Sequence, residues 1–181
     1  MNSDRYFEDF EAGMKFKGAV GRTVTDADNI WFTLMTNNNN QIHFNADYAR
    51  RNYAGEPFRG RMVVNGFFTL ATVAGILVEQ TSAHGIMLGM TSLKFVNPVF
   101  AGDTIYAECE VKATRRSEHR KGNGVVSIRT RGYNQRGETL VEFDRDFLVR
   151  ERKAVWSGGR SGRGRPRQAH AGAGAPGKPP R

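Results

Sequence analysis

The chain has 181 residues, 39% hydrophobic and 25% charged, which fits one soluble domain with a sizeable core and holds no apolar run of membrane-spanning length. The net charge of +9 is not spread over the chain: eight Lys/Arg and no acid follow from Arg152 onward, while residues 1–151 hold 19 basic and 18 acidic side chains. A strongly basic folded body is thereby excluded, and the single cysteine, Cys109, excludes an intramolecular disulfide.

The N-terminal "MNSDRYFEDF" lacks the apolar core of a secretory leader, so a cytoplasmic protein is expected. "MKFKGAV" (14–20) alternates apolar and polar residues and reads as a strand. In "TDADNIWFTLMTN", Thr25 and Asp28 form a capping-box start, and Ile30, Trp31, Leu34 and Met35 make an apolar helical face. The asparagine run 37–40 ends that helix, because amide side chains compete for backbone hydrogen bonds. "ADYARRNY" (46–53) is a second short helix, broken by "GEPFRG".

"VNGFFTLATVAGILVEQ" (64–80) is apolar on nearly every side, and a helix without a polar face is expected to be buried. Four strands are expected at 86–96, 103–116, 124–133 and 139–150, joined by the turn chemistry of "NPVFAGDT" and "NQRGET" and by the charged hairpin tip "RRSEHRKGNG". Within them Cys109 reads as a small buried hydrophobe, and Val141, Phe143, Phe147 and Val149 share one face. Strand, helices, one buried helix and a four-strand antiparallel meander make an α+β domain whose sheet wraps the long helix. From Arg152 to Arg181 the chain is a Gly/Pro/Arg-rich segment with little to bury, expected to be a disordered basic tail beside a folded domain of residues 1–151.

The reactive side chains permit two readings at this point. A lone histidine, His43, behind four asparagines is either a satisfied side chain beside a helix-ending loop or the corner of an active site. Arg59, Arg61, Lys94, Arg115 and Arg116 are candidates for binding phosphates, with a solvated basic surface as the alternative for each. Tyr6 and Tyr53 could reach a pocket, though no motif places them there. His84, His119 and His170 read as turn, hairpin and tail residues, and no Cys/His/acid cluster has metal spacing.

Three segments together resemble a known family: "NNNQIHFNADYA", "GRMVVNGFFTLA" and "LKFVNPVFAGDTIYAECEV". They are similar to the MaoC-like dehydratases, the hotdog-fold R-specific enoyl-CoA hydratases, over about residues 8–150. "RGYNQRGE" is similar to the subgroup that handles mesaconyl-CoA and related branched or dicarboxylic thioesters. The resemblance implies a single hotdog domain, a reversible hydratase of short enoyl-CoA or acyl-carrier-protein thioesters, no cofactor or metal, and at least a homodimer. It places the catalytic histidine at His43 and the motif's asparagine at Asn40, with Asn38 where the family has aspartate and Gln41 where it often has proline. An amide at 38 can hold water without moving a proton, which would leave His43 as the sole proton carrier. Gly66, at the start of the apolar helix, falls where the family offers a backbone N–H to the thioester carbonyl.

Three rivals stand beside this expectation. A hotdog thioesterase would need a carboxylate on the central helix, and residues 66–78 contain none; Glu79 is too near the far end. A non-catalytic acyl-thioester-binding subunit is suggested by Asn38. A nucleic-acid binder would act through the Arg-Gly tail, and that is not expected of the folded domain.

Overall fold

The computed structural model describes residues 5–153. The expected tail therefore lies outside the described residues from position 154 on; at its start, Arg152 is paired with Asp9.

Six strands form one antiparallel sheet: β1 (Lys15–Lys17), β2 (Arg22–Thr23), β3 (Gly85–Phe95), β4 (Thr104–Arg116), β5 (Asn123–Asn134) and β6 (Thr139–Arg150). The helices are α1 (Asp26–Met35), α2 (Ala46–Asn52), α3 (Gly66–Ile76) and the single turn α4 (Val78–Thr81). The four long strands fall within one residue of their expected bounds, because period-two alternation and Gly/Pro turns are local signals. The capping box is also as expected: Asp28 N–H donates to Thr25 Oγ1 at 3.2 Å, and Thr25 N–H donates to Asp28 Oδ2 at 2.9 Å. That backbone donor holds the Asp28 carboxyl below its ordinary range.

The strand order corrects the expected meander. It runs β1-β4-β5-β6-β3, with β2 also on β4, so β3 lies beside β6 rather than β4. Residues 96–103 carry the chain from one side of the sheet to the other. In doing so they receive the segment before α3, through Val64 N–H to the Val99 carbonyl at 2.8 Å. The sheet curls round α3 in an α+β hotdog arrangement. Val73 of α3 packs so closely on β5 that a Cβ at Gly132 would come within 2.3 Å of it. The core faces of β4, β5 and β6 supply Ile105, Val111, Val126, Ile128, Val141, Phe143 and Val149. Cys109 is also inside, and burial pushes its thiol up to about 11.

Two apolar helical faces are not buried as expected. On α1 the buried side chains are Asn29 and Thr33, whereas Trp31, Leu34 and Met35 point outward, Trp31 and Met35 at 73% exposure each. The polar side turns inward because its groups find backbone partners there. On α3 only Thr69 and Val73 are buried, and Phe67 is 64% exposed. The sheet covers one side of this all-apolar helix and leaves the other open. Beside it, edge strand β3 exposes Ile86, Met87, Leu88, Leu93 and Phe95. Among the described residues no helix is long and apolar enough to cross a membrane.

Candidate active site

The asparagine run is a sequence of turn devices. Asn37 takes a left-handed backbone, φ 54°, which asparagine tolerates better than most residues. The Asn38 side-chain oxygen accepts the Asn40 N–H at 3.0 Å. The Asn40 side chain in turn accepts the Ile42 N–H at 3.4 Å, capping a 3-10 turn over Gln41–His43. Asn45 caps α2 by accepting the Tyr48 N–H at 3.1 Å. Ile42, 5% exposed, plugs the turn into the interior and leaves His43 half-buried.

Asn29 locks this turn to the start of α3. Its Nδ2 donates to the His43 carbonyl at 2.7 Å and the Val63 carbonyl at 3.1 Å, and its Oδ1 accepts the Asn65 N–H at 2.9 Å. Asn65 Nδ2 donates to Thr33 Oγ1 at 3.3 Å, so the inward polar face of α1 is fully engaged. The amides thus close a buried network in which each partner is satisfied, the condition under which such networks rigidify a site.

His43 Nδ1 lies 2.8 Å from the Val63 carbonyl oxygen. A carbonyl can only accept, so Nδ1 carries a proton, and in the neutral imidazole the free lone pair is then on Nε2. Asn65 is the N-cap of α3 and accepts the Phe67 N–H at 3.0 Å. Gly66, the first helical residue, has no intrahelical acceptor for its N–H, which stands at the positive end of the helix. A Cβ at Gly66 would meet the Phe95 ring at 3.0–3.3 Å. Glycine at this position thus serves close packing against that ring.

His43 and Gly66 line one cleft of about 280 Å³, together with Thr69, Phe95, Val99 and Leu140. His43 is the single ionisable group among the lining residues, and the rest of the wall is largely apolar. Thr69, 2% exposed, has a hydroxyl with no hydrogen-bond partner. Asn38 and Asn40 do not line the cleft, and their side-chain oxygens accept backbone N–H groups within the turn.

A second hollow adjoins the first through Phe58, Asn97 and Pro98 and carries Arg59, Arg61 and Arg136. Arg61 stacks over Phe100 at 4.3 Å, and Arg136 is paired with Asp103 at 3.2 Å and Glu138 at 2.8 Å. Lys94, Arg115 and Arg116 line neither hollow, nor do Tyr6 and Tyr53. Thr69, Asn29 and Arg136 were not legible as site residues. A lone Thr in an apolar helix, an Asn in a helix and an Arg in a turn carry no spacing signal.

Comparison with known proteins adds four findings. The sequence model described as MaoC like domain matches residues 9–132. A mesaconyl-CoA hydratase of Cereibacter sphaeroides is 30% identical over 152 residues, which cover 83% of this chain and 43% of that protein. An (R)-specific enoyl-CoA hydratase of Rhodospirillum rubrum is 28% identical over 106 residues, 59% of this chain and 69% of that protein. Among solved structures, a monoamine oxidase regulatory protein from Archaeoglobus superposes with a TM-score of 0.69 at 27% identity, over 81% of this chain and 95% of that one. The chain spans less than half the length of the mesaconyl-CoA hydratase it matches.

Proposed function

The chain belongs to the MaoC-like domain family, and from that premise we propose that it is a hydro-lyase adding water reversibly across the double bond of a short enoyl-CoA or carrier-protein thioester. The observation that carries the reading is the shared cleft of His43 and Gly66, with the imidazole in the tautomer that leaves Nε2 basic. The names of the relatives favour a branched or dicarboxylic acyl group.

The thioester carbonyl accepts the Gly66 N–H at the head of α3. This polarises the conjugated double bond and draws charge onto an oxygen that the helix end stabilises. Water held by His43 Nε2 and the Thr69 hydroxyl adds its oxygen to the β-carbon as Nε2 takes the proton. The imidazolium is stabilised by the Val63 carbonyl at Nδ1, and it then delivers that proton to the α-carbon, so neutral His43 is restored and one water is consumed. Here Asn38 and Asn40 act as positioning residues that fix the turn bearing His43, with Asn29 bracing it. Arg59, Arg61 and Arg136 bound the adjoining hollow, where coenzyme A phosphates would find guanidinium partners.

The open face of α3 and the apolar edge β3 call for a second layer, supplied by a second copy in a homodimer. The longer relative supports this, since more than half of its length lies outside the match.

The absence of a carboxylate among the cleft's lining residues favours one rival, an acyl-thioester-binding subunit without turnover, and it counts against a thioesterase. Loss of enoyl absorbance on mixing the full chain with crotonyl-CoA, then with mesaconyl-CoA, separates them. Turnover that disappears in His43→Asn, whose amide can still reach the Val63 carbonyl, is the expected result. An active His43→Asn protein removes the assignment, and tight binding without turnover gives the site to the binding subunit.

A further inference from the structure

One buried charged side chain takes no part in the mechanism above. Arg145 sits on the core face of β6 between Phe143 and Phe147 and is 3% exposed. Its guanidinium carbon lies 5.5 Å and 4.9 Å from the two ring centroids. Nη1 donates to the Ala74 carbonyl of α3 through a long contact of 3.4 Å. Nε and Nη2 have no hydrogen-bond partner, and no carboxylate pairs with the group among the described residues. Burial draws the guanidinium down to about 10, still protonated at neutral pH.

The unpaired atoms form one edge of the guanidinium, and that edge is the one arginine uses to grip a carboxylate with two parallel bonds. The chain itself supplies the comparison. On the opposite face of the sheet, Arg129 uses Nε and Nη2 to hold the two oxygens of Asp144 at 2.9 and 3.1 Å. A charge buried without a counter-ion is so costly that natural cores pair it or replace it, and a methionine would fill the same space.

Solvent does not reach Arg145, so a partner for it must enter between α3 and the sheet. Two more unpaired buried groups lie on that interlayer, the hydroxyls of Thr69 and Thr130. Thr69 lines the cleft of His43 and Gly66. Thr130 on β5 faces Phe143 on β6, and the next core-facing pair along is Ile128 with Arg145. From Gly66 to Ala74, the residue Arg145 touches, α3 advances about 12 Å at 1.5 Å per residue. That is the distance an acyl group would have to cover if its carbonyl rested on the Gly66 N–H and its far end met Arg145.

We propose that Arg145 is the specificity-determining residue for the far end of the acyl group: its Nε and Nη2 pair with a terminal carboxylate, so the cleft takes the mono-thioester of a dicarboxylic acid. The inference rests on the reading of that cleft as an acyl-thioester site. It adds the residue that recognises the acid and the polar seam that leads to it.

Saturated thioesters test this without any chemistry, since they bind and cannot be hydrated. Calorimetric titration of the full chain would compare succinyl-CoA with butyryl-CoA, glutaryl-CoA with pentanoyl-CoA, and adipyl-CoA with hexanoyl-CoA. At one of these lengths the carboxylated ligand should bind at least about tenfold tighter, in line with a charge-assisted bidentate pair. Arg145→Met should bring the two within about twofold while unfolding no earlier than the parent, as apolar replacements of buried charges often do. Arg145→Gln, neutral but of similar length, takes its place should the methionine variant not fold, and is held to the same expectation. Equal binding of acid and non-acid at every length, or a preference that survives loss of the guanidinium, overturns the proposal. A carboxylate preference without turnover of the matching enoyl thioesters would keep Arg145 and remove the hydratase; turnover without the preference would do the reverse.

Discussion

The ring Nδ1 of His43 and the carbonyl oxygen of Val63 stand 2.8 Å apart, and the same oxygen receives Asn29 Nδ2 at 3.1 Å. One backbone acceptor thus orients the imidazole and ties it to α1, whose Asn29 lies 34 residues before Val63 in the chain. Both halves of the candidate site, His43 and the head of α3, hang from this junction.

Removing Asn29 should therefore damage stability and activity together. Asn29→Ala leaves the His43 and Val63 carbonyls and the Asn65 N–H without this partner, with a cost of about 3 kcal/mol expected in urea unfolding. Displacement of the two halves by about 1 Å should lower turnover by on the order of 100-fold. Unchanged turnover in the folded variant would mean that the junction does not position the chemistry.

The Gly66 N–H can be tested by a matched pair. Gly66→Ala and Gly66→Pro both place a Cβ against the half-exposed Phe95 ring, but only proline removes the N–H. Proline suits the first helical position, and Asn65 at φ −55°, ψ 126° already has the backbone that precedes a proline. Relative to the alanine variant, Gly66→Pro should lose on the order of 100-fold in kcat with similar melting behaviour. Equal rates in the two would show that the N–H takes no part.

Asn38→Asp should keep the turn, because a carboxylate oxygen accepts the Asn40 N–H as the amide oxygen does. Stability should change by less than about 0.5 kcal/mol, and turnover of crotonyl-CoA should be retained or raised. A folded aspartate variant with lost activity would move Asn38 from the turn into the reaction.

The association state follows from the exposed apolar edge. Sedimentation should give twice the 20.2 kDa chain mass, and Ile86→Lys on β3 should shift it toward the single chain, since a lysine on an edge strand blocks pairing. A parent protein that sediments as one chain at all concentrations would leave the open face of α3 without its proposed cover.

Local pattern carried much of this architecture. Alternation marked the four long strands, the Thr25–Asp28 box marked the start of α1, and Cys109 was recognisable as an interior position. Resemblance singled out His43 and Gly66, which the fold then brought to one cleft. These are signals that neighbouring residues generate among themselves, through side-chain period, capping and turn chemistry.

What only the tertiary structure decided depends on partners distant in the chain. The place of β3 beside β6 is set by where the crossover of residues 96–103 lands. The inward face of α1 looked apolar and proved to be Asn29 and Thr33, because the carbonyls of His43 and Val63 and the groups of Asn65 wait there for them. Asn38 could be read as a water holder, but in the fold its side-chain oxygen accepts the Asn40 N–H within the turn. Arg145 shares the alternation of Val141, Phe143, Phe147 and Val149 in "VEFDRDFLV", and only the fold shows that its guanidinium edge is left unpaired in the core. A sequence states which groups can bond, and the fold decides which of them are left to bond with a ligand.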